Sequence, residues 1–526
     1  MDALFRPLAD ALGASVDQVK LISCLLISYP LGSVFIRLPS GNHAVKHLFN
    51  IAVTLFYMVG MLGIWSAVAQ LLVSILVTFF IAKNVQGSKM PWIVFWFTMA
   101  HLMVNHIIRA VFNLSYETTE VTGPQMVLVM KLTTFAWNVY DGRRAAEDLD
   151  KWQLDKRVVK YPSLLAFLVF GHFHSFFFPG FLVGPYLDFA SYISLVDESL
   201  FSTKKGKEKE AFTGGRRIPK GRKRVAYKKL LIGLAFLGLY VTQIGTFNLG
   251  VSLQKWFVQK NLLYRIVFIQ LCGFIERTKY YAIWTMTEGA SILTGLGFSG
   301  YGPNGESLWN DAANVDIPNI EFAPNFKVLL DSWNMKTNVW LRECVYKRVT
   351  PKGKKAGFRS SMLTFGTSAL WHGFAGGYYI AFFYGGFVQT VGRLCRSNIR
   401  PLLLPANISK NAKELPPPTL AKRVYDIISV VCAVMLINYA AMPFMLLGLR
   451  ESLNGWSAVG WYGHVIIGGA MAFFYLGGTQ YLQGVQAKRV KKLDAPKKDS
   501  GLSTPGMPNP MAAPVDVALD EVDKKL

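Results

Sequence analysis

Apolar runs of about 18 to 22 residues recur along this chain, and each is long enough to cross a hydrocarbon core of about 30 Å as a helix. The bilayer is therefore the solvent in which most of the chain folds. Composition agrees: 52% of the 526 residues are hydrophobic, 14% aromatic and only 17% charged. A soluble protein of this size carries roughly 25% charged residues.

The periodicity divides the chain into a series of candidate helices. Residues 1–20 place Leu4, Phe5, Leu8, Leu12 and Val16 at helical spacing, which predicts an amphipathic segment at the membrane interface. Apolar helices are predicted at 21–38, 47–64, 66–83, 91–112 and 125–140. A further apolar run covers 162–184, but charged residues flank it on both sides. A full crossing there conflicts with the basic loop after it. The segment is instead expected to be re-entrant, broken at Pro179, Gly180, Gly184 and Pro185. Broken backbone at membrane depth is tolerated only against protein or a water-filled cavity.

Helices at 229–251 and 261–293 come next, then a Gly/Pro/Asn-rich loop from Gly295 to Asn325. A polar, Trp-containing amphipathic stretch spans 331–348, an apolar segment covers 362–391, and the last helices lie at 425–447 and 460–483. The fold class is thus all-α, a polytopic membrane protein of about eleven spanning or re-entrant helices. A single transmembrane domain is expected over 21–485, with a disordered cytosolic tail over 486–526. No removable signal peptide is expected, since the N-terminus has no basic region before a short apolar core.

The net charge of +24 is concentrated in connecting segments, above all the basic loop 203–229. Such clusters between spans mark the cytosolic side and touch anionic lipid, so nucleic acid is not an expected partner. Acidic Glu117 and Glu120, beside the sequon Asn113-Leu114-Ser115, favour the lumenal side. A second sequon at Asn407 lies among lysines and fixes no side. The five cysteines have no CxxC spacing, which argues against a zinc ribbon or a disulfide framework. No metal site is expected: His172 with His174, and His101 with His106, lack further ligands. Gly295-Leu296-Gly297-Phe298-Ser299-Gly300 matches GxGxxG but comes after a membrane helix, outside the strand-to-helix context of a dinucleotide site.

His372 stands out, an imidazole in the apolar stretch Ser368 to Tyr379, flanked by glycines and aromatic residues. A lone histidine there is more often a packing residue, and the flanking glycines and aromatic residues shift the balance toward a general base, which neutral imidazole serves well near neutral pH. About forty residues earlier lies Asp331-Ser332-Trp333-Asn334-Met335-Lys336-Thr337-Asn338-Val339-Trp340-Leu341-Arg342. Asn334 can donate to a carbonyl oxygen, Lys336 and Arg342 can meet phosphate, and the tryptophans can sit at headgroup level. An interfacial anchor is the alternative reading of this stretch. Cys344 has no base beside it in sequence, and Glu288 falls within a predicted span where it can pair with a cation or line a tunnel.

Taken together, Trp333-Asn334, Thr337, Trp340-Leu341, Trp371-His372-Gly373 and Gly377-Tyr378-Tyr379 resemble the signature of the membrane-bound O-acyltransferase family. Asn138 to Arg143, Phe178 to Pro185 with Asp188 and Tyr192, and Arg277 to Tyr281 with Trp284, Glu288 and Gly289 look like its lysophospholipid acyltransferase branch, most like the broad-specificity fungal enzymes. The likeness runs from about residue 90 to 390. It implies a fold around an intramembrane tunnel, with His372 as catalytic base and Asn334 as its partner. Trp333, Lys336, Thr337, Trp340, Arg342, Trp371, Tyr378, Tyr280 and Glu288 are then expected to bind substrate.

The resemblance further implies acyl-CoA as co-substrate, a lysophospholipid acceptor, no cofactor, and residence in the endoplasmic reticulum membrane. A sterol or diacylglycerol acceptor in the same family remains open, as does a non-enzymatic lipid transporter. Against the transporter, no internal repeat is present. The soluble-headed glycerolipid acyltransferases are excluded, because none of the eight histidines has Asp five residues on.

Overall fold

A computed structural model describes residues 1–494 except 40, 115–117, 163, 165–166, 168–176, 181, 185–186, 204–217, 352, 354–356, 407 and 409–415. Long helices dominate it, and the strands among the described residues are the two-residue pair Gly300–Tyr301 and Ser307–Leu308. Among the described residues, seven helices are long and apolar enough to cross a membrane: Val16–Phe35, His43–Met61, Trp65–Asn84, Lys89–Val111, Arg222–Gln243, Leu420–Leu446 and Tyr462–Lys492.

The other long helices are too polar to count by composition, and the reason is where they sit. In Thr122–Gly142 buried residues occur on every side, among them Gln125, Lys131, Asn138 and Asp141. In Leu262–Leu293 the second half is buried almost throughout, including Arg277 and Glu288. Protein rather than lipid surrounds Thr122–Gly142 and the second half of Leu262–Leu293, where charged side chains such as Asp141 and Glu288 find partners. Arg277, for example, pairs with Glu321 at 2.7 Å and also donates to Asn438.

Several boundaries differ from those read in the sequence: the helix expected at 229–251 spans Arg222–Gln243, so the end of the expected basic loop 203–229 is its first turns. The first span begins at Val16, capped by Ser15, so the N-terminal amphipathic helix is confined to Asp2–Leu12. The last helix continues to Asp494, past the expected start of the tail at 486, because residues 479–494 contain no proline or interior break to stop it. The rest of the expected tail, 495–526, lies outside the described residues. The apolar segment 362–391 is two helices, Phe358–His372 and Gly376–Asn398. Gly373 separates them at φ 125°, a backbone conformation that a residue with a Cβ rarely adopts.

Most of the expected re-entrant run 162–184, with His172 and His174, lies outside the described residues. Its described end turns instead of continuing as a helix: Gly180 N–H donates to the Phe177 carbonyl at 3.1 Å, and Gly184 lies at φ 82°. Phe177, Phe178 and Leu182 are buried there. The irregular backbone is thus enclosed by protein, and Trp284 Nε1 donates to the Val183 carbonyl at 3.2 Å.

Candidate active site

Thr122–Gly142 acts as a post on which the two conspicuous segments hang. One of its faces, read at helical spacing, presents Met126, Met130 and Thr133. Trp371 donates its indole N–H to the Met126 carbonyl at 2.9 Å. Trp340 donates its own to Thr133 Oγ1 at 2.8 Å. Thr337 Oγ1 lies 3.4 Å from Met130 Sδ, and Cys344 Sγ lies 3.5 Å from Thr134 Oγ1. The Asn334 segment and the His372 segment are therefore held to one helix by neighbouring anchors, which sequence spacing alone could not reveal.

Asn334 sits at φ 44° and ψ 54°, just before the helix Met335–Leu341. Asn is one of the few residues with a Cβ that tolerates this left-handed conformation. Its carboxamide orientation is fixed by a chain of bonds that begins at an unambiguous donor. The Lys336 backbone N–H donates to Asn314 Oδ1 at 3.0 Å, which turns Asn314 Nδ2 toward Asn334 Oδ1 at 3.2 Å. Thr337 Oγ1 also donates to Asn334 Oδ1, at 2.9 Å. With the oxygen engaged twice, the group that Asn334 can offer a ligand is its Nδ2 donor. Asn314, buried in the Gly/Pro/Asn-rich loop, is the organising residue that sequence reading missed. Its only signal was an asparagine among many.

His372 ends its helix, and the break at Gly373 brings three aromatic rings of later elements around the imidazole. Phe382 stacks on it with ring centroids 5.2 Å apart and planes at 23°, Phe444 meets it edge-on at 5.0 Å, and Tyr378 lies at 5.5 Å. This closeness depends on Gly377. A Cβ there would lie 2.1 Å from the Pro443 carbonyl oxygen, so only glycine lets Gly376–Asn398 approach Leu420–Leu446 so nearly. Gly377 N–H further donates to the Leu447 carbonyl at 2.7 Å.

Asn334 and His372 both line one cavity of about 1790 Å³. Its wall includes Gly123 near one end of the Thr122–Gly142 helix, and Lys347 beside Arg348, which grips Asp141 at the other end. A helix of this length spans roughly 30 Å, the thickness of a hydrocarbon core, so the chamber extends along most of that depth. Toward the Gly123 end it is lined by Arg109, Thr118 and Glu120, and toward the other by Lys327, Arg342, Lys347 and Arg393 together with Asp331 and Glu343, which pair with the first three. Apolar side chains such as Ile22, Leu26, Val127 and Ile283 line it as well.

Of the other expected substrate-binding residues, Trp333, Thr337, Arg342, Trp371, Tyr378 and Tyr280 line this chamber. Trp333 forms an aromatic wall with Tyr280 and Trp284, at 5.2 and 5.1 Å between centroids. Arg342 Nε donates to Glu343 Oε1 at 3.0 Å. Trp340, Lys336 and Glu288 are not part of the wall. Trp340 is fully buried as an anchor. Lys336 Nζ donates to the Asp311 carbonyl at 2.5 Å, and Glu288 pairs with Lys229 at 2.9 Å. His106, Asn314, Phe382 and Phe444 are chamber residues not singled out as substrate-binding from the sequence. Cys344 is buried, and the described residues hold no cluster of three metal-ligating groups.

A helical membrane protein whose internal chamber is apolar along part of its wall and charged toward its ends is suited to amphiphilic molecules. The chain belongs to the MBOAT, or membrane-bound O-acyltransferase, family, whose model matches residues 108–412. It is 37% identical over 474 residues to a lysophospholipid acyltransferase of Schizosaccharomyces pombe, covering 90% of this chain and 89% of that one. A lysophospholipid acyltransferase of Saccharomyces cerevisiae is 35% identical over 535 residues, covering 98% and 84%. The membrane-bound glycerophospholipid O-acyltransferase 1 of Mus musculus is 29% identical over 468 residues, covering 88% and 90%.

Proposed function

We propose that this chain is an acyl-CoA-dependent lysophospholipid O-acyltransferase that re-forms diacyl phospholipids, acting in the endoplasmic reticulum membrane. The observation that carries the reading is the single chamber into which both the Asn334 amide donor and the His372 imidazole open. Its volume of about 1790 Å³ exceeds the roughly 300 to 1,000 Å³ of a site for one small ligand, which suits two amphiphiles held together. At one end Lys327, Arg342 and Lys347, each ion-paired in the structure, and Arg393 are the cations that a phosphate-bearing substrate would meet.

In this mechanism His372 takes the proton from the free hydroxyl of the lysolipid as that oxygen attacks the thioester carbonyl. Asn334 Nδ2 donates to the carbonyl oxygen as negative charge develops there. Collapse expels the CoA thiolate, which receives the proton from His372, so the ring returns to its starting state. No acyl-enzyme forms. Much of the rate comes from holding hydroxyl and thioester together in a site shaped in advance.

The test is to incubate membranes holding the protein with labelled acyl-CoA and a panel of lysophospholipids, sterol and diacylglycerol. Label is expected in diacyl phospholipid. Label confined to sterol ester or triacylglycerol would overturn the reading.

A further inference from the structure

We propose that Arg109 and Glu120 form the headgroup site for the acceptor lysophospholipid, and that the pair favours a zwitterionic head. Both residues line the chamber. Arg109, on the helix Lys89–Val111, meets Glu120, in the loop before Thr122–Gly142, at 2.7 Å. Their side chains are only 12% and 17% exposed. Arg109 also donates to Thr122 Oγ1 at 3.3 Å, Thr122 donates to Glu120, and the Thr119 N–H donates to Asp17 Oδ2 at 2.9 Å. The loop that carries the carboxylate is thus fastened to its surroundings.

Distance from the base selects this pair among the charges of the chamber. In a lysophospholipid four or five bonds separate the free hydroxyl oxygen from phosphorus, roughly 5 to 6 Å when extended. The cation that holds the acceptor phosphate must therefore lie close to His372. Arg109 is on the turn after His106, about 4.5 Å along the helix and on much the same face. His106 packs on the break beside the base: a Cβ built at Gly373 would lie 3.2 Å from His106 Nδ1. Arg393, by contrast, is about three turns past Phe382, the ring stacked on His372, or roughly 16 Å along its helix. That separation suits acyl-CoA, whose arm has about thirteen bonds, roughly 15 Å, from sulfur to the first phosphorus. The other cations of this wall are engaged elsewhere: Arg277 with Glu321 and Asn438, and Lys279 with Glu276 and the Tyr240 and Tyr280 rings.

Charge sets the preference. A zwitterionic head carries its ammonium four bonds from phosphorus, roughly 5 Å away. It can lie antiparallel to the pair, with phosphate on the Arg109 guanidinium and ammonium on the Glu120 carboxylate, so neither protein charge loses a partner. An anionic head without an ammonium draws Arg109 away and leaves the carboxylate uncompensated in a nearly enclosed site.

The inference rests on the reading of the chain as a lysophospholipid acyltransferase, and the experiment separates the two. Membranes holding wild type, Arg109→Met or Glu120→Gln are assayed with labelled acyl-CoA and either lysophosphatidylcholine, which is zwitterionic, or lysophosphatidate, which is anionic. Rates are normalised to protein abundance. Wild type is expected to favour lysophosphatidylcholine by kcat/KM. Arg109→Met is expected to raise KM for both acceptors about tenfold while KM for acyl-CoA changes less than about threefold. Glu120→Gln is expected to shift the ratio of kcat/KM values about tenfold toward lysophosphatidate. A purely structural pair would lower abundance, or kcat for both acceptors alike, and leave that ratio unchanged.

A Glu120→Gln enzyme with the wild-type ratio overturns the inference, and so does an Arg109→Met enzyme in which the acyl-CoA KM rises instead. Should neither variant accumulate, wild type decides: a preference for lysophosphatidate counts against the inference. If wild type acylates neither lysophospholipid, the reading of the reaction fails and the headgroup site falls with it.

Discussion

At the scale of single residues, the site depends on which atom each side chain has left to offer. Asn334 has committed Oδ1 to Asn314 and Thr337, leaving Nδ2 for a ligand. Its backbone is also left-handed, so two functions of the residue must be separated in any variant. Asn334→Gly keeps the conformation open and removes only the carboxamide. It is expected to lower kcat by about 10² to 10³, the loss seen when one donor to a developing oxyanion is removed. Asn314→Leu leaves Asn334 Oδ1 with Thr337 alone and should lower kcat by about tenfold through misorientation. Steady-state kinetics on abundance-normalised membranes check both, and an Asn334→Gly enzyme at wild-type rate would remove the donor from the mechanism. His372 draws notice in the sequence as a polar residue in an apolar run, whereas Asn334, in a polar stretch, draws it only through the family resemblance. Asn314 draws none, since an asparagine in a loop rich in Gly, Pro and Asn looks like turn chemistry until its hydrogen bonds are seen.

At the scale of elements, Trp340 and Trp371 show how one residue type serves two ends. Both looked like substrate contacts, yet each commits its indole N–H to the Thr122–Gly142 helix. Trp371 also faces the chamber, whereas Trp340 is wholly buried behind it. Trp340→Phe is therefore expected to cost about 1 kcal/mol of stability, from the lost hydrogen bond, with little change in KM. A thermal shift of the solubilised protein set beside its kinetics distinguishes this anchor from a substrate contact, which would raise KM first.

The far end of the same helix is fastened by charge. Arg348 pairs with buried Asp141 at 2.5 Å and lies over the Trp137 ring at 4.2 Å. Arg348→Met leaves the carboxylate inside the protein without its principal partner, a change that typically costs about 3 to 5 kcal/mol. A clear fall in the unfolding temperature is expected, and an unchanged value would mean that this pair does not fasten the helix. The sequence showed the Thr122–Gly142 helix but not its central place. Helical periodicity locates a buried face, and a helix buried on every side has none to locate.

At the scale of the whole molecule, the polar helices and the apolar ones divide the work. Hydropathy marks the lipid-facing spans, because lipid demands uniform apolar surface, although about eleven helices were expected and seven among the described residues are long and apolar enough to cross. The inner helices Thr122–Gly142 and Leu262–Leu293 carry charge that is tolerated only because other helices enclose it. Their number and placement depend on packing, which leaves a faint trace in composition. The broken elements behave in the same way: the break at Gly373 was visible as a glycine beside a histidine, but not that Phe382, Phe444 and Tyr378 would close around the ring. The result is a chamber roughly as long as a bilayer is thick, open to both the amide and the imidazole.

The central claim is that His372 is the base in that chamber. The most direct measurement is the turnover of labelled acyl-CoA and lysophospholipid by wild type and His372→Ala at equal abundance in membranes. Loss of general-base catalysis predicts that kcat falls by about 10² to 10⁴ while the KM values stay near those of wild type. A His372→Ala protein that turns over at the wild-type rate would contradict the account.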